Sequence, residues 1–382
     1  MRSLRHFILL ISVFVWPYAA SAQIIETDAD YAVIMDHKTG EILWSKDGDT
    51  PMIPASMTKM MTAYLVFDLI SEGEITLDTE MVVSENAWQR GGFPSGTSTM
   101  GLQPRERPTV RDLLQGMIVM SGNDACIVLA EGIAGSEEAF ARQMTERAHA
   151  LGLSTVNFVN STGLEGEGHV VSAEDLARLA KLIIDDYPDY YAWYRQEAFT
   201  WGDYTQANRN PLLGTMDGAD GLKTGHLDAS GYGLTASAER DGTRRIIVIN
   251  GLPDKRARAR EAERLMRMAF SAFETRTING GAERLAELDV WMGEARKVGV
   301  GLASPHNVTA HKRAFAKGRS EIVHNQLIEA PIQAGDEIAT LVVSIEGKAP
   351  IELPLVATED VARLGFVGRA VDGLIRMMEG GA

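Results

Sequence analysis

With a single cysteine in 382 residues, the chain can form no internal disulfide, so its fold must rest on the burial of apolar surface. That residue, Cys126, sits among Ala125, Ile127 and Leu129 in a helix-like stretch and reads as a small buried hydrophobe. Beyond the leader described below there is no apolar run of the ~20 residues that a membrane-spanning helix needs, and no repeat or low-complexity tract. Basic residues number 37 against 52 acids, and the arginines are scattered rather than gathered into one stripe. A formal charge of −15 repels nucleic acid and excludes that class of partner. His306 and His311 lack the companions and spacing of a metal site, and nothing in the chain calls for a cofactor.

What is present has the balance of a globular protein. Hydrophobic residues make up 45% and charged residues 23%, over a length that suits one substantial domain and a smaller companion. Residues 1–22 stand apart: Arg2, Arg5 and His6 precede an apolar run from Phe7 to Val15, and Ala20-Ser21-Ala22 offers a small-residue cleavage site. This is the pattern of a secretory signal peptide, so export is expected. Its removal takes two arginines with it and moves the formal charge from −15 to −17.

Along the mature chain, Tyr31 to Met35 and Glu41 to Trp44 flank a turn and predict a hairpin. A helix is expected from Ser56 to Ile70, between Pro54 and Gly73, and further helices at Val110 to Met120, Asp124 to Ala134, Ser136 to Leu151 and Ala173 to Asp185. Strands are expected at Gly221 to Gly225, Tyr232 to Ala238 and Arg245 to Asn250. Helices enclosed by early and late strands imply an α+β domain with a largely antiparallel sheet, over residues 23–275. From Phe273 to Thr277 the texture changes to short runs, among them Val298 to Leu302, Ile338 to Ile345 and Ile351 to Val356, which predict a small all-β domain at 276–358.

The chemistry begins at Ser56-Met57-Thr58-Lys59, where a hydroxyl and an amine stand three residues apart and so share one helix face. A serine becomes a nucleophile only beside a base, and a lysine serves as one only when its pKa falls. Alone the pair is weak, since chance supplies on the order of one such spacing in a chain of this size. Two later motifs change the reading: Ser121-Gly122-Asn123 follows 65 residues on, and Lys223-Thr224-Gly225 another 102. That order is the one used by serine acyl-transfer enzymes that react with β-lactams. In it Ser121 can relay a proton, Asn123 can hold a substrate amide, Lys223 can bring positive charge, and Gly225 allows close approach to a strand. A second lysine in the same cleft is also expected to drive Lys59 toward its neutral form.

At these residues the chain resembles the low-molecular-mass penicillin-binding proteins of the D-alanyl-D-alanine carboxypeptidase type. The likeness runs through Pro54-Ala55-Ser56-Met57-Thr58-Lys59-Met60-Met61-Thr62, Ser121-Gly122-Asn123-Asp124-Ala125, Asp217-Gly218-Ala219-Asp220-Gly221-Leu222-Lys223-Thr224-Gly225-His226 and Gly231-Tyr232. It implies a DD-peptidase-like catalytic domain followed by a β-rich domain and a terminal anchor. It implies further that Ser56 attacks the carbonyl between two D-alanines, that Lys59 takes its proton, and that Ser121 passes a proton to the leaving group. The oxyanion would lie between the backbone N–H groups of Ser56 and His226, with Lys223 and Thr224 facing the terminal carboxylate. Arg209 is a further candidate for that carboxylate, because guanidinium suits bidentate binding, and a structural arginine is the competing reading. The substrates implied are peptidoglycan stem peptides ending in D-Ala-D-Ala, with β-lactams as covalent inhibitors, in the periplasm and in the service of cell-wall biogenesis and cell shape.

Departures and alternatives remain. Leu227 stands where many relatives carry a hydroxyl residue, which puts one carboxylate contact in doubt. The segment Gly91 to Arg107 reads either as the family's loop beside the active site or as an ordinary surface loop. Gly221-Leu222-Lys223-Thr224 has Leu222 where a phosphate-binding loop needs glycine. A β-lactamase would need a deacylating base, for which only Glu165 and Glu167 offer themselves, without supporting signature. A cross-link endopeptidase and an inactive peptidoglycan-binding scaffold are the other readings. Finally, Leu364, Val367, Val371, Leu374, Ile375 and Met378 recur at helical spacing, with Arg363, Arg369, Asp372, Arg376 and Glu379 mostly elsewhere around the helix. This predicts an amphipathic helix over 359–382 lying in the plane of the inner-membrane surface, although Gly365, Gly368 and Gly373 lower its intrinsic helicity.

Overall fold

The structure, a computed structural model, describes residues 25–280, 283–324, 328–368 and 370. In chain order it has strands β1 (Tyr31–Asp36) and β2 (Ile42–Lys46), then helices α1 (Lys59–Ser71), α2 (Glu85–Gly91), α3 (Val110–Gln115), α4 (Asn123–Ala134), α5 (Glu137–Ala150), α6 (Ala173–Asp186) and α7 (Pro188–Tyr191). Strands β3 (Ala198–Trp201), β4 (Tyr204–Ala207), β5 (Ala219–Leu227), β6 (Gly231–Arg240) and β7 (Thr243–Leu252) follow, then α8 (Lys255–Ser271) and β8 (Phe273–Ile278). Five of the strands form one antiparallel sheet in the order β2-β1-β7-β6-β5.

Period-two alternation explains how the sheet carries two layers of helix. On the central strand β7, Ile246 and Val248 join the core formed with α1, α4, α5 and α6, while Ile247 and Ile249 join a second core against α8. On β1, Val33 and Met35 face the first core and Ala32 and Ile34 the second. Fully burying each large side chain of this kind is worth about 1.5–3 kcal/mol, and both faces of β7 collect it. Helix ends follow local chemistry: Ser136 and Ser172 accept the N–H of Ala139 and Asp175 to start α5 and α6, and Thr109 with Asp112 forms a capping box on α3.

Helices α2 and α7 and strands β3 and β4 lie outside the expected elements, and two further differences have a local cause. The helix expected over Val110 to Met120 stops at Gln115 and continues as a π-turn, Gly116–Met120. Helix α8 has no counterpart in the sequence reading, because its buried stripe consists largely of small residues, Ala257, Ala262 and Ala269 with Leu265 and Met266, among many arginines.

Strand β8 runs across positions 275 and 276 and pairs with His306–His311. Beyond it lies a six-stranded sheet whose core contains Val298, Val300, Leu341, Leu353 and Leu355, so the expected β-rich tail is present. A buried ion pair, Asp36 with Arg245, links the main sheet to β8, since Thr275 Oγ1 donates to Asp36 Oδ2 at 3.2 Å and contacts Thr309 Oγ1 at 2.8 Å. Near the C-terminus, Val361 is buried and exchanges two backbone hydrogen bonds with Ile332. The predicted leader, 1–22, lies outside the described residues, as does most of the predicted terminal helix. A helical turn at 366–368 is within them, and there Phe366 and Val367 are 81% and 74% exposed. Among the described residues no helix is long and apolar enough to cross a membrane.

Candidate active site

Ser56 is carried by a 3₁₀ turn, Ala55–Thr58, that leads into α1, and not by the α-helix itself. In a 3₁₀ turn side chains three apart eclipse, which brings serine and lysine closer than an α-helical step does. Lys59 Nζ donates to Ser56 Oγ at 2.9 Å, to Asn123 Oδ1 at 2.7 Å and to the carbonyl of Thr162 at 2.6 Å. Lys59 is 1% exposed, and its pKa is pushed down to about 8. Burial is the largest cause, and Arg209 acts in the same direction, against Glu137 and Asp124. The expected cause, repulsion by Lys223, is therefore not the principal one.

Lys223 is the second lysine whose charge is felt here. It is buried beneath the cleft, where its Nζ donates to Ser121 Oγ at 2.8 Å. Its pKa lies well below the usual lysine value, first through burial and then through the charge of Lys59. Ser121, which ends the π-turn, has a left-handed backbone (φ 62°), a strained conformation common at functional sites. Asn123 gives its oxygen to Lys59 and one N–H to Thr97 Oγ1 at 2.9 Å, which leaves one N–H for a substrate carbonyl.

The segment Gly91 to Arg107 is tied to the site. The Asp124 carboxylate gathers the N–H groups of Met100, Gly101 and Leu102 together with the Thr99 hydroxyl, all within 3.0 Å. The carbonyl of Ser98 accepts the N–H of Asn123 at 2.8 Å. Arg209 hydrogen-bonds Ser98 Oγ and, at 3.0 Å, Gln206 Oε1. The result is an open cleft of about 390 Å³ lined by Ser56, Ser121, Thr224, His226, Arg209 and Arg258, among others.

Strand β5 is the edge of the sheet and borders the turn that carries Ser56. Gly225 is the reason it can, since a Cβ there would lie 2.7 Å from the Pro54 carbonyl oxygen and 3.3 Å from Met57 Cγ. The glycine thus admits the nucleophile's own turn, where the sequence reading assigned it to substrate approach. His226 is exposed and packs on Tyr232 with ring centroids 3.8 Å apart. Leu227 does not line the cleft, and neither do Glu165 and Glu167, which are exposed. Cys126 is fully buried with its thiol pushed up to about 12 by burial, as a small hydrophobe should be.

Residues 18–253 match the D-alanyl-D-alanine carboxypeptidase family, and residues 273–363 match the C-terminal domain of penicillin-binding protein 5. The chain belongs to the D-alanyl-D-alanine carboxypeptidases. It is 35% identical to D-alanyl-D-alanine carboxypeptidase DacC of Escherichia coli over 94% of this chain and 93% of that one. It also superposes on the crystal structure of the carboxypeptidase DacD from Francisella tularensis with a TM-score of 0.76, at 32% identity, over 89% of this chain and 95% of that one. Penicillin-binding protein 5 from Haemophilus influenzae gives 0.74 at 32% identity, over 88% and 98%. The protein is accordingly a serine-type DD-carboxypeptidase, a hydrolase with the fold of that family.

Among the residues of this carboxypeptidase's site that the sequence does not announce, Lys255 included, two pack against the residues already described. Arg258, on α8, is 7% exposed and lines the cleft. Its Nη2 lies 3.5 Å from the Arg209 carbonyl, its guanidinium 5.8 Å from the Tyr232 ring centre, and its Nε has no hydrogen-bond partner among the described residues. The only signal was a run of arginines at 256, 258 and 260, which ordinarily marks a solvated helix face. His169 is the second. Its Nδ1 accepts the N–H of Val159 at 3.2 Å, so the proton sits on Nε2 and is donated to Thr58 Oγ1 at 2.8 Å. Burial is the main cause holding its pKa near 4, so the ring is neutral where it braces the turn of Ser56. Gly163 (φ 77°) lies against the same turn, where a Cβ would overlap the Ala55 carbonyl oxygen.

Proposed function

We propose that the enzyme removes the terminal D-alanine from peptidoglycan stem pentapeptides through an acyl-enzyme on Ser56. The observation that carries this reading is the 2.9 Å contact between Ser56 Oγ and a buried lysine whose pKa is lowered to about 8. A sizeable fraction of Lys59 is then neutral near pH 7–8 and able to take the hydroxyl proton as Ser56 attacks, a role worth about 10²–10⁴-fold in rate. The oxyanion is held by the backbone N–H groups of Ser56 and His226. Ser121 passes a proton to the departing amine, with Lys223 Nζ as its hydrogen-bond partner in the relay. The substrate's terminal carboxylate is bound by Thr224, Arg209 and Arg258, which line the cleft, the guanidinium groups being suited to bidentate contact. Asn123 holds the substrate amide with its remaining N–H. Water then cleaves the ester, and a β-lactam occupies the same serine as a slowly hydrolysed acyl group.

The remaining parts of the reading concern place. Residues 1–22 direct export and 23–275 form the catalytic unit; the β-rich unit extends past the expected limit of 358 to Leu364, through the backbone bonds of Val361, Ala362 and Leu364, and the remainder of the expected 359–382 segment rests on the outer face of the inner membrane. Exposed Phe366 and Val367 support the last, because an interfacial helix buries such side chains in the headgroup region.

The reading is tested by incubating the purified enzyme with a D-alanyl-D-alanine pentapeptide and following loss of one D-alanine by mass spectrometry. Fluorescent penicillin should label the wild type and leave a folded Ser56→Ala variant dark. Covalent labelling of that variant would refute the nucleophile.

A further inference from the structure

The cleft beside Ser56 holds more positive charge than one carboxylate requires. Arg209, Arg258 and Lys255 all line it, and no Asp or Glu does. Two acids adjoin its lining residues without entering it. Asp254 caps α8 by accepting the N–H of Ala257 at 2.7 Å, and Asp228 is fully exposed, 3.9 Å from His226 Nε2. Lys255 is exposed and takes part in no hydrogen bond or ion pair among the described residues. It lies three residues before Arg258 on α8, so the two project from the same face one turn apart, with about 5–6 Å between their Cβ atoms. The cleft's volume of about 390 Å³ is also far larger than the methyl side chain of D-alanine needs.

We propose that the leaving-group side of this cleft accepts D-amino acids whose side chain carries a second carboxylate, and that Lys255 is the residue that selects them. The proposal rests on the reading above, in which Arg258 and Arg209 bind the α-carboxylate of the leaving residue. With that group at Arg258, the side-chain carboxylate of a D-glutamyl residue reaches about one helical turn further, to Lys255. The chemistry is unchanged. Ser56 Oγ bonds to the carbonyl carbon of the penultimate D-alanine, the C–N bond to D-glutamate breaks, and the hydroxyl proton is balanced by the one delivered to the leaving amine. One water then hydrolyses the ester and restores Ser56.

The test compares three N-acylated peptides ending in D-Ala-D-Ala, D-Ala-D-Glu and D-Ala-D-Gln, with the released amino acid quantified for the wild type, Lys255→Met and Lys255→Glu. A single solvent-exposed charge pair predicts that wild-type kcat/KM for D-Glu exceeds that for the isosteric D-Gln about five-fold at low salt. The ratio should shrink as ionic strength rises, approach one in Lys255→Met and fall below one in Lys255→Glu. If the wild type releases D-Ala normally but does not favour D-Glu over D-Gln, or if the preference persists in Lys255→Met, the proposal is overturned. Failure to release D-Ala at all would instead defeat the reading of the site on which it rests.

Discussion

Lys223 Nζ lies 2.8 Å from Ser121 Oγ, a contact between residues 102 positions apart that joins an edge strand to the end of a π-turn. In the mechanism proposed above this lysine is the partner of the proton relay, and the outer carboxylate contacts are assigned to Thr224 and the two arginines. If the pair works as one unit, its members should not be separable by mutation. Ser121→Ala and Lys223→Ala should each slow acylation by about 10²–10⁴-fold, with the double variant scarcely slower than either. Stopped-flow measurement with a fluorescent penicillin reads all three, and fully additive losses would show that the two act independently.

The lowered pKa of Lys59 has a direct kinetic signature. Because its value in the folded enzyme, about 8, lies below that of an ordinary lysine, the neutral amine accumulates as pH rises through that point. The acylation rate constant should climb about ten-fold per pH unit below the pKa and level off above it. Lys59→Arg keeps its proton and should abolish acylation at every pH in the range. A flat profile in the wild type would rule out Lys59 as the base.

Gly225→Ala tests the close approach of β5 to the nucleophile's turn. The added methyl would lie 2.7 Å from the Pro54 carbonyl oxygen, so strand and turn must separate. Overpacking of this kind costs about 1–3 kcal/mol, visible as a lowered midpoint in chemical denaturation. Acylation should fall by at least about 10²-fold, since displacements near 1 Å have effects of that size on positioned groups. Wild-type rates in this variant would mean that the turn does not depend on the contact.

Truncation tests the membrane anchor, and the fold indicates where to cut. Val361, Ala362 and Leu364 are hydrogen-bonded into the β-rich unit through Ile332, Glu294 and Met292, so a chain ending at Asp360 would damage that unit. A chain ending at Gly365 keeps these bonds and loses Phe366, Val367 and everything beyond. It should retain carboxypeptidase activity in solution and no longer co-sediment with anionic liposomes. Equal sedimentation of the full-length mature and shortened forms would remove the anchor.

What the sequence determined by itself was whatever depends on near neighbours along the chain. The spacing of Ser56 and Lys59, the alternation on β1 and β7, the serine-capped helices α5 and α6 and the burial of Cys126 each rest on periodicities of two to four residues. Such local geometry is much the same in any fold that contains the element. The order of the three motifs was legible as well, through the family it resembles. Tertiary structure alone decided what distant segments do to one another. It brought Asn123, Thr162 and Ser56 onto one lysine, and set that lysine's pKa mainly by burial, a quantity no spacing encodes. Against Ser121 it placed Lys223, and against the Ser56 turn it placed Gly225. Arg258 and Lys255 reached the cleft on α8, an amphipathic but arginine-rich helix whose packing partners on β6 and β7 no local pattern names. Burial and the field of distant charges are sums over the whole fold, and for that reason the site's chemistry could be named from the sequence while its electrostatics could not.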